Sequence, residues 1–267
     1  MSQDEQRPVT TRTLAAMHRR GEPIAMLTAY DYPTAKLLDQ CGVDVLLVGD
    51  SLAMVVGGHP STLAVSLDTM IYHAEMVARA AERAMVVVDI PFPEGQLSVE
   101  RTVIAGARVL QETLATAVKL EGGSEQASRI RAMVTAGIPV MAHVGLRPQN
   151  VHVDGGYRVQ KDAEKTIEDA LAVQEAGAFA VLVECVPASL GQSLSERLSI
   201  PTIGIGAGPH SGGQVLVTPD LLGMLPDRPP KFVRPMADLR GVMTEAFRRY
   251  VAAVKSGEFP SEAESYG

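Results

Sequence analysis

The chain has 267 residues, of which 46% are hydrophobic and 21% charged, and its formal net charge is −7 at pH 7. Its basic residues are scattered, with no run longer than "HRR" and no interleaved aromatics, which argues against a nucleic-acid surface. No apolar run approaches the roughly 20 residues of a membrane helix, and the polar, mixed-charge start "MSQDEQRPVTTR" is unlike a secretory signal.

In chain order, a flanking helix is expected over 9–20, followed by a first short apolar run, "IAMLTAYD" (24–31). "PTAKLLDQCG" (33–42) places proline at a helix entry and glycine at its end. "VDVLLVGDS" (43–51) is a second apolar run. "SLDTMIYHAEMVARAAER" (66–83) opens on a serine cap and carries apolar residues at helical spacing. Further runs follow at "AMVVVDIPF" (84–92), "TAVKLEGG" (116–123), "IPVMAHVGL" (138–146), "FAVLVECVP" (179–187), "IPTIGIGAG" (200–208) and "GQVLVTPD" (213–220). Helical stretches are expected at 98–115, 124–136, 161–176 and 189–198, with a last flanking helix at 236–256.

The apolar runs are rich in β-branched residues and mostly lack alternation, as strands buried on both faces of a parallel sheet do. Eight such strands alternating with helices predict an α/β fold, a (β/α)8 TIM barrel. It would fill residues 1–267 as a single domain with flanking N- and C-terminal helices. A doubly wound open sheet is the competitor, but "LTAYDYP" after strand one has no glycine-rich nucleotide turn. Cys41 and Cys185 form no CxxC pair and are expected as small buried apolar residues in a reduced, cytoplasmic setting.

Reactive groups of such barrels sit at the C-terminal ends of the strands. Asp50 and Ser51 end strand two, Asp89 strand three, Lys119 and Glu121 strand four, His143 strand five and Glu184 strand six. Three carboxylates, Asp50, Asp89 and Glu121, would converge from neighbouring strands, and a low-dielectric pocket does not hold three anions without a counter-charge. A hard divalent cation supplies that charge, and an oxygen-only set points to magnesium or a similar ion. Lys119 adds a second positive charge, so a substrate carboxylate is the natural partner of both.

Taken singly, each residue has a plainer reading. An aspartate after a strand often caps the next helix, and His143 alone is as readily a satisfied core histidine. Glu184 is harder to dismiss, since no helix start explains a carboxylate inside "VLVECVP". "GIGAG" (204–208) lacks the GxGxxG spacing and reads best as close backbone packing. His18, His59, His73, His152 and His210 show no metal-ligand spacing.

Eight collinear segments carry a family resemblance: "TAYDYPTAKLLDQCGVDVLLVGDSLAMVV", "VVVDIPF", "AVKLEGG", "AGIPVMAHVGLRPQ", "GGYRVQ", "VLVECVP", "IPTIGIGAG" and "SGEFPSEAES". Together they resemble the ketopantoate hydroxymethyltransferase family over nearly the whole chain. The resemblance implies a barrel of the phosphoenolpyruvate/pyruvate superfamily type. It implies transfer of a one-carbon unit from 5,10-methylenetetrahydrofolate to 3-methyl-2-oxobutanoate, giving 2-dehydropantoate for pantothenate and coenzyme A synthesis. By the same resemblance Asp50 and Asp89 bind Mg2+ directly and Glu121 lies close to the ion through water. Ser51 and Lys119 hold the substrate carboxylate, His143 lies beside the substrate, and Glu184 is the base. A homo-oligomer, often a decamer, is implied as well.

The chain departs from the usual family pattern at Gly57 and His59, at "PEGQ" (93–96), at Arg147 and at Gly213. None of these removes a residue expected to touch metal or keto acid; they bear on folate contacts and assembly. A magnesium-dependent carbon–carbon lyase acting on a 2-oxo or 2-hydroxy acid is the alternative enzyme, and a non-catalytic barrel kept as an assembly module is the alternative outside enzymes.

Overall fold

The structure is a computed structural model that describes residues 7–226 and 229–266. Its eight strands are β1 (Ile24–Thr28), β2 (Val45–Val48), β3 (Met85–Asp89), β4 (Ala117–Glu121), β5 (Val140–Gly145), β6 (Ala180–Glu184), β7 (Thr202–Ile205) and β8 (Gly213–Leu216). Every pairing is parallel, each strand joins its successor, and β1 closes on β8. The expected barrel is therefore present, and all eight apolar runs supply one strand each. The strands are shorter than the runs because the last residues of each run form the rim loops.

The helices are α1 (Thr11–Arg20), α2 (Tyr32–Gln40), α3 (Leu52–Val55), α4 (Leu67–Ala80), α5 (Val99–Glu112), α6 (Ala127–Thr135), α7 (Ala163–Glu175), α8 (Ala188–Arg197), α9 (Thr218–Leu221) and α10 (Leu239–Ser256). Local chemistry sets their starts. Asp31, Ser66, Ser98 and Asp162 each accept a backbone N–H three residues on, at α2, α4, α5 and α7. Three expectations need correction. Residues 124–126 form a 3-10 turn before α6, the run 213–220 leaves its strand at Leu216 to enter α9, and the single helical turn α3 was not anticipated. Among the described residues no helix lies between β7 and β8.

Two layers of core follow from the period of two along a strand. One parity points outward, where Leu46, Val48, Val86, Val88, Val118 and Leu120 pack with the helices. The other points into the barrel and includes Met26, Val45, Leu47, Met85, Val87, Ala117, Met141, Leu182 and Ile203. Val9, Leu14 and Met17 join this inner layer. The N–H of Val9 bonds to the Arg83 carbonyl just before β3, so Val9 and α1 cover the N-terminal mouth. Both faces of the strands are buried, which is why the runs showed little alternation.

The chain forms two compact units, Met1–Val217, which holds the barrel, and Thr218–Gly267. In the second unit Asp238 caps α10 through the Gly241 N–H, and Gly257 ends it in the left-handed region. Among the described residues no helix is long and apolar enough to cross a membrane.

Candidate active site

The inward parity carries the polar residues of the rim. Met85 and Val87 are followed on the same face by Asp89, Ala117 by Lys119 and Glu121, Met141 by His143, and Leu182 by Glu184. Register then sets neighbours side by side: Asp89 pairs with Lys119, Glu121 with His143, and Gly145 with Glu184. Gly145 has φ 94°, and a Cβ there would lie 2.3 Å from the Glu184 carbonyl oxygen. Only glycine lets β5 end this close to β6.

Asp50, Asp89, Lys119, Glu121 and His143 are all at most 4% exposed, and the Glu184 side chain is 17% exposed. Lys119 Nζ lies 2.6 Å from Asp89 Oδ1 and 3.3 Å from His143 Nδ1. Asp89 Oδ2 accepts the backbone N–H of Asp50 at 3.0 Å. His143 Nδ1 is 3.7 Å from Glu121 Oε1, and its Nε2 is 3.2 Å from Glu184 Oε2. The last is a close contact and not an aligned hydrogen bond, and Glu121 Oε1 also makes none. Neither aspartate caps a helix: Ser51 stands before α3 and makes no capping bond, and α5 is capped by Ser98. The structure therefore brings together six of the seven predicted residues in one contact network. Ser51 stands beside Asp50, with its Oγ 2.8 Å from Tyr30 Oη.

Burial drives the electrostatics. It raises the Asp50 carboxyl to about 7, with Asp89 adding to the effect against Lys119 and Gln149. Glu121 is pushed well above the usual carboxylate range, first by burial and then by Asp50. Glu184 is raised to about 7 by burial, against the pull of Lys119. Burial opposes the charge on Lys119, but Asp89, Glu121 and Asp50 together outweigh it and hold the ammonium above the ordinary lysine range. Burial and the Lys119 charge depress His143 well below its usual value, so the ring is neutral. An ammonium only donates, so Nδ1 accepts from Lys119 and the ring proton sits on Nε2, toward Glu184.

Four carboxylates face one ammonium and a neutral histidine. Among the described residues, however, no three His, Cys, Asp or Glu side chains stand close enough to cage an ion. The donor set fits a hard ion that keeps several of its own waters, as magnesium does, and not an all-protein cage. The buried Glu121 Oε1, without a hydrogen-bond partner, leaves an oxygen ligand unsatisfied at that place.

Some residues of the site escaped the sequence reading. Gln149, in the 3-10 turn Pro148–Asn150, donates from Nε2 to Asp50 Oδ2 at 2.9 Å and from its backbone N–H to Glu121 Oε2 at 3.1 Å. Gln96 Nε2 donates to Gln149 Oε1 at 2.6 Å. Tyr30 holds Ser51, and His73 Nδ1 lies 2.6 Å from the Tyr30 carbonyl. All four lie off the strands; Tyr30 and Gln149 fall within segments that carry the family resemblance, and Gln96 ends the turn 93–96 that departs from it. The cysteine expectation is corrected: Cys41 is exposed and Cys185 is half-buried, and both are free thiols. "GIGAG" is close packing, as expected: Gly208 has φ 85°, and a Cβ there would lie 2.5 Å from that of Ala188.

Among solved structures, phosphonopyruvate hydrolase in complex with oxalate and Mg++ superposes with a TM-score of 0.64 at 14% identity, over 96% of this chain and 91% of that one. 2,3-Dimethylmalate lyase, a PEP mutase/isocitrate lyase superfamily member, superposes at 0.61 and 16%, over 96% and 91%. These likenesses show the fold. In sequence, the chain is 59% identical to the 3-methyl-2-oxobutanoate hydroxymethyltransferase of Rhodopirellula baltica over 100% of both chains. It is 50% identical to those of Desulforapulum autotrophicum, over 97% of this chain and 98% of that one, and Pelobacter propionicus, over 98% and 99%. A family profile for ketopantoate hydroxymethyltransferase matches residues 8–262. With that match spanning the barrel and every rim residue described above, the chain belongs to the ketopantoate hydroxymethyltransferase family.

Proposed function

We propose that this chain adds a hydroxymethyl group to 3-methyl-2-oxobutanoate, with 5,10-methylenetetrahydrofolate giving the carbon and leaving as tetrahydrofolate and water giving the hydroxyl, to form 2-dehydropantoate in pantothenate synthesis. The observation that carries this reading is the contact network of Asp50, Asp89, Lys119, Glu121, His143 and Glu184 on one barrel rim, in a chain whose full-length relatives bear that enzyme's name. The names of those relatives favour transfer over the carbon–carbon lyase reading.

Lys119 donates to His143 and pairs in charge with Asp89, and an N–H that it does not use there is directed to the substrate carboxylate. Ser51 can accept from Tyr30 and donate to the same carboxylate. This fixes the keto acid in one orientation, so C3 faces a single side chain. Glu184 takes the C3 proton: with its carboxyl raised to about 7, it is a far stronger base than an exposed glutamate and still ionised in part at neutral pH. His143, neutral and with its proton on Nε2, stands 3.2 Å from Glu184 without neutralising it. Asp50 and Asp89, with Glu121 acting through water, would hold Mg2+, which would supply Lewis-acid charge stabilisation to the keto acid.

Replacing Glu184 with Gln is expected to abolish deuterium uptake at C3 of 3-methyl-2-oxobutanoate in heavy water while the acid still binds by calorimetry. Undiminished uptake would remove Glu184 from the role. Product formation only when methylenetetrahydrofolate is supplied tests the donor. The free thiols support a reduced, cytoplasmic setting. Exposed Leu37, Tyr72 and Ile104, on α2, α4 and α5, support a homo-oligomer, which sedimentation would measure.

A further inference from the structure

Gln149 is 6% exposed and bonds to four residues at the rim, Asp50, Ile90, Gln96 and Glu121. Its amide Nε2 donates to Asp50 Oδ2 at 2.9 Å and to the Ile90 carbonyl at 3.2 Å. Its backbone N–H donates to Glu121 Oε2 at 3.1 Å. Its Oε1 accepts from Gln96 Nε2 at 2.6 Å. A residue on the loop after β5 thus touches the ends of β2 and β4 and the chain after β3.

The amide orientation is dictated by chemistry. A main-chain carbonyl only accepts, so the group facing Ile90 must be the NH2. Turning the amide would set Oε1 against both the Ile90 oxygen and the Asp50 carboxylate. With Gln149 fixed, Gln96 must present its own NH2 to Gln149 Oε1. Its Oε1 is left buried without a partner among the described residues, a cost that follows from an orientation imposed from outside. The relay therefore runs from the Ile90 carbonyl through Gln149, with Gln96 locking it from behind.

Neutrality matters as much as direction. A lysine at this place would supply the positive charge meant for a cation, and a carboxylate would add another anion. An amide ties down one oxygen of Asp50, and the backbone N–H ties down one of Glu121. Neither cancels charge, and Glu121 Oε1 is left open. Groups behind metal ligands act in this way, setting ligand orientation while the ligands keep their charge. We infer that Gln149, locked by Gln96, is a positioning residue that sets the carboxylates of Asp50 and Glu121 toward one shared divalent cation. The inference rests on the reading of this rim as a cation centre.

The test is Mg2+ titration by calorimetry on substrate-free protein, backed by Mn2+ paramagnetic resonance. Gln149→Met keeps the side chain's length and removes its side-chain donors. It is expected to weaken Mg2+ binding by roughly 10- to 100-fold, with activity lost at limiting Mg2+ and recovered at excess. Gln96→Met touches no carboxylate and is expected to weaken binding less, by roughly three- to tenfold. Wild-type affinity in Gln149→Met overturns the inference and leaves the cation centre standing. Should that variant fail to fold, Gln96→Met decides: unchanged affinity overturns the inference and weakened affinity supports it. A wild-type protein that binds no divalent ion removes the cation centre and this role together.

Discussion

Glu184 shows how one carboxylate is made both costly and useful. Its carboxyl rises from the ordinary 4.5 to about 7 because burial disfavours the anion. The folded state therefore holds that proton more tightly than the unfolded chain does. Below pH 4.5 both states are protonated and the carboxyl costs nothing. Between 4.5 and 7 the unfolded state ionises first and stability falls; above 7 the loss is complete, on the order of 3 kcal/mol. Glu184→Gln should then raise Tm at pH 8, with a chelator present, by roughly 5 to 10 °C and leave it nearly unchanged at pH 4.5. An equal shift at both pH values would contradict the raised carboxyl. The same ionisation predicts that C3 exchange by the wild type climbs about tenfold per pH unit below 7 and levels off above it.

The two ends of each strand do different work, and two substitutions separate them. Asp39, on α2 and 8% exposed, accepts the backbone N–H groups of Glu82, Arg83 and Ala84 at 3.1, 3.0 and 2.7 Å. It ties α2 to the entry of β3, at the mouth of the barrel away from the chemistry. Asp39→Ala leaves three donors to find other partners and is expected to cost about 2–4 kcal/mol in urea unfolding, with kcat unchanged at a temperature where the variant is folded. Gly145 stands at the rim. Gly145→Ala forces a side chain into a left-handed backbone and onto the Glu184 carbonyl, at about 1–3 kcal/mol of strain or more. Unlike Asp39→Ala, it should also lower kcat by at least tenfold if Glu184 is the base proposed above, because relieving the clash moves that side chain. Equal kcat losses in both variants would show that the division between ends is wrong.

For the molecule as a whole, the barrel converts chain separation into proximity. Asp50 and Gln149 are 99 residues apart in sequence and 2.9 Å apart in space. The result is a rim with four carboxylates against one ammonium, so an added dication should stabilise the fold as well as activate it. At a Mg2+ concentration 100 times its Kd, the gain expected at pH 8 is about 2.7 kcal/mol, seen as a rise in Tm of several degrees. At pH 4.5, where the raised carboxyls of Asp50, Glu121 and Glu184 are protonated, the rise should vanish. A shift independent of pH would place the ion elsewhere.

The strands, their order of chemistry and most of the rim were legible in the chain because they obey short periods. A buried parallel strand is a run of four to six apolar residues, and a polar side chain at its last inward position stands out, as Asp89, Lys119, Glu121, His143 and Glu184 do. The family segments rest on the same local strings. Gln149, Gln96, Tyr30 and His73 were not legible in this way. They lie on loops or a helix, where no period distinguishes a functional side chain from a solvated one. Their partners are set by barrel closure, which brings separate rim segments within hydrogen-bond reach. The carboxyl shifts belong to the fold for the same reason: the desolvation that raises Asp50, Glu121 and Glu184 exists only once the chain has closed around them.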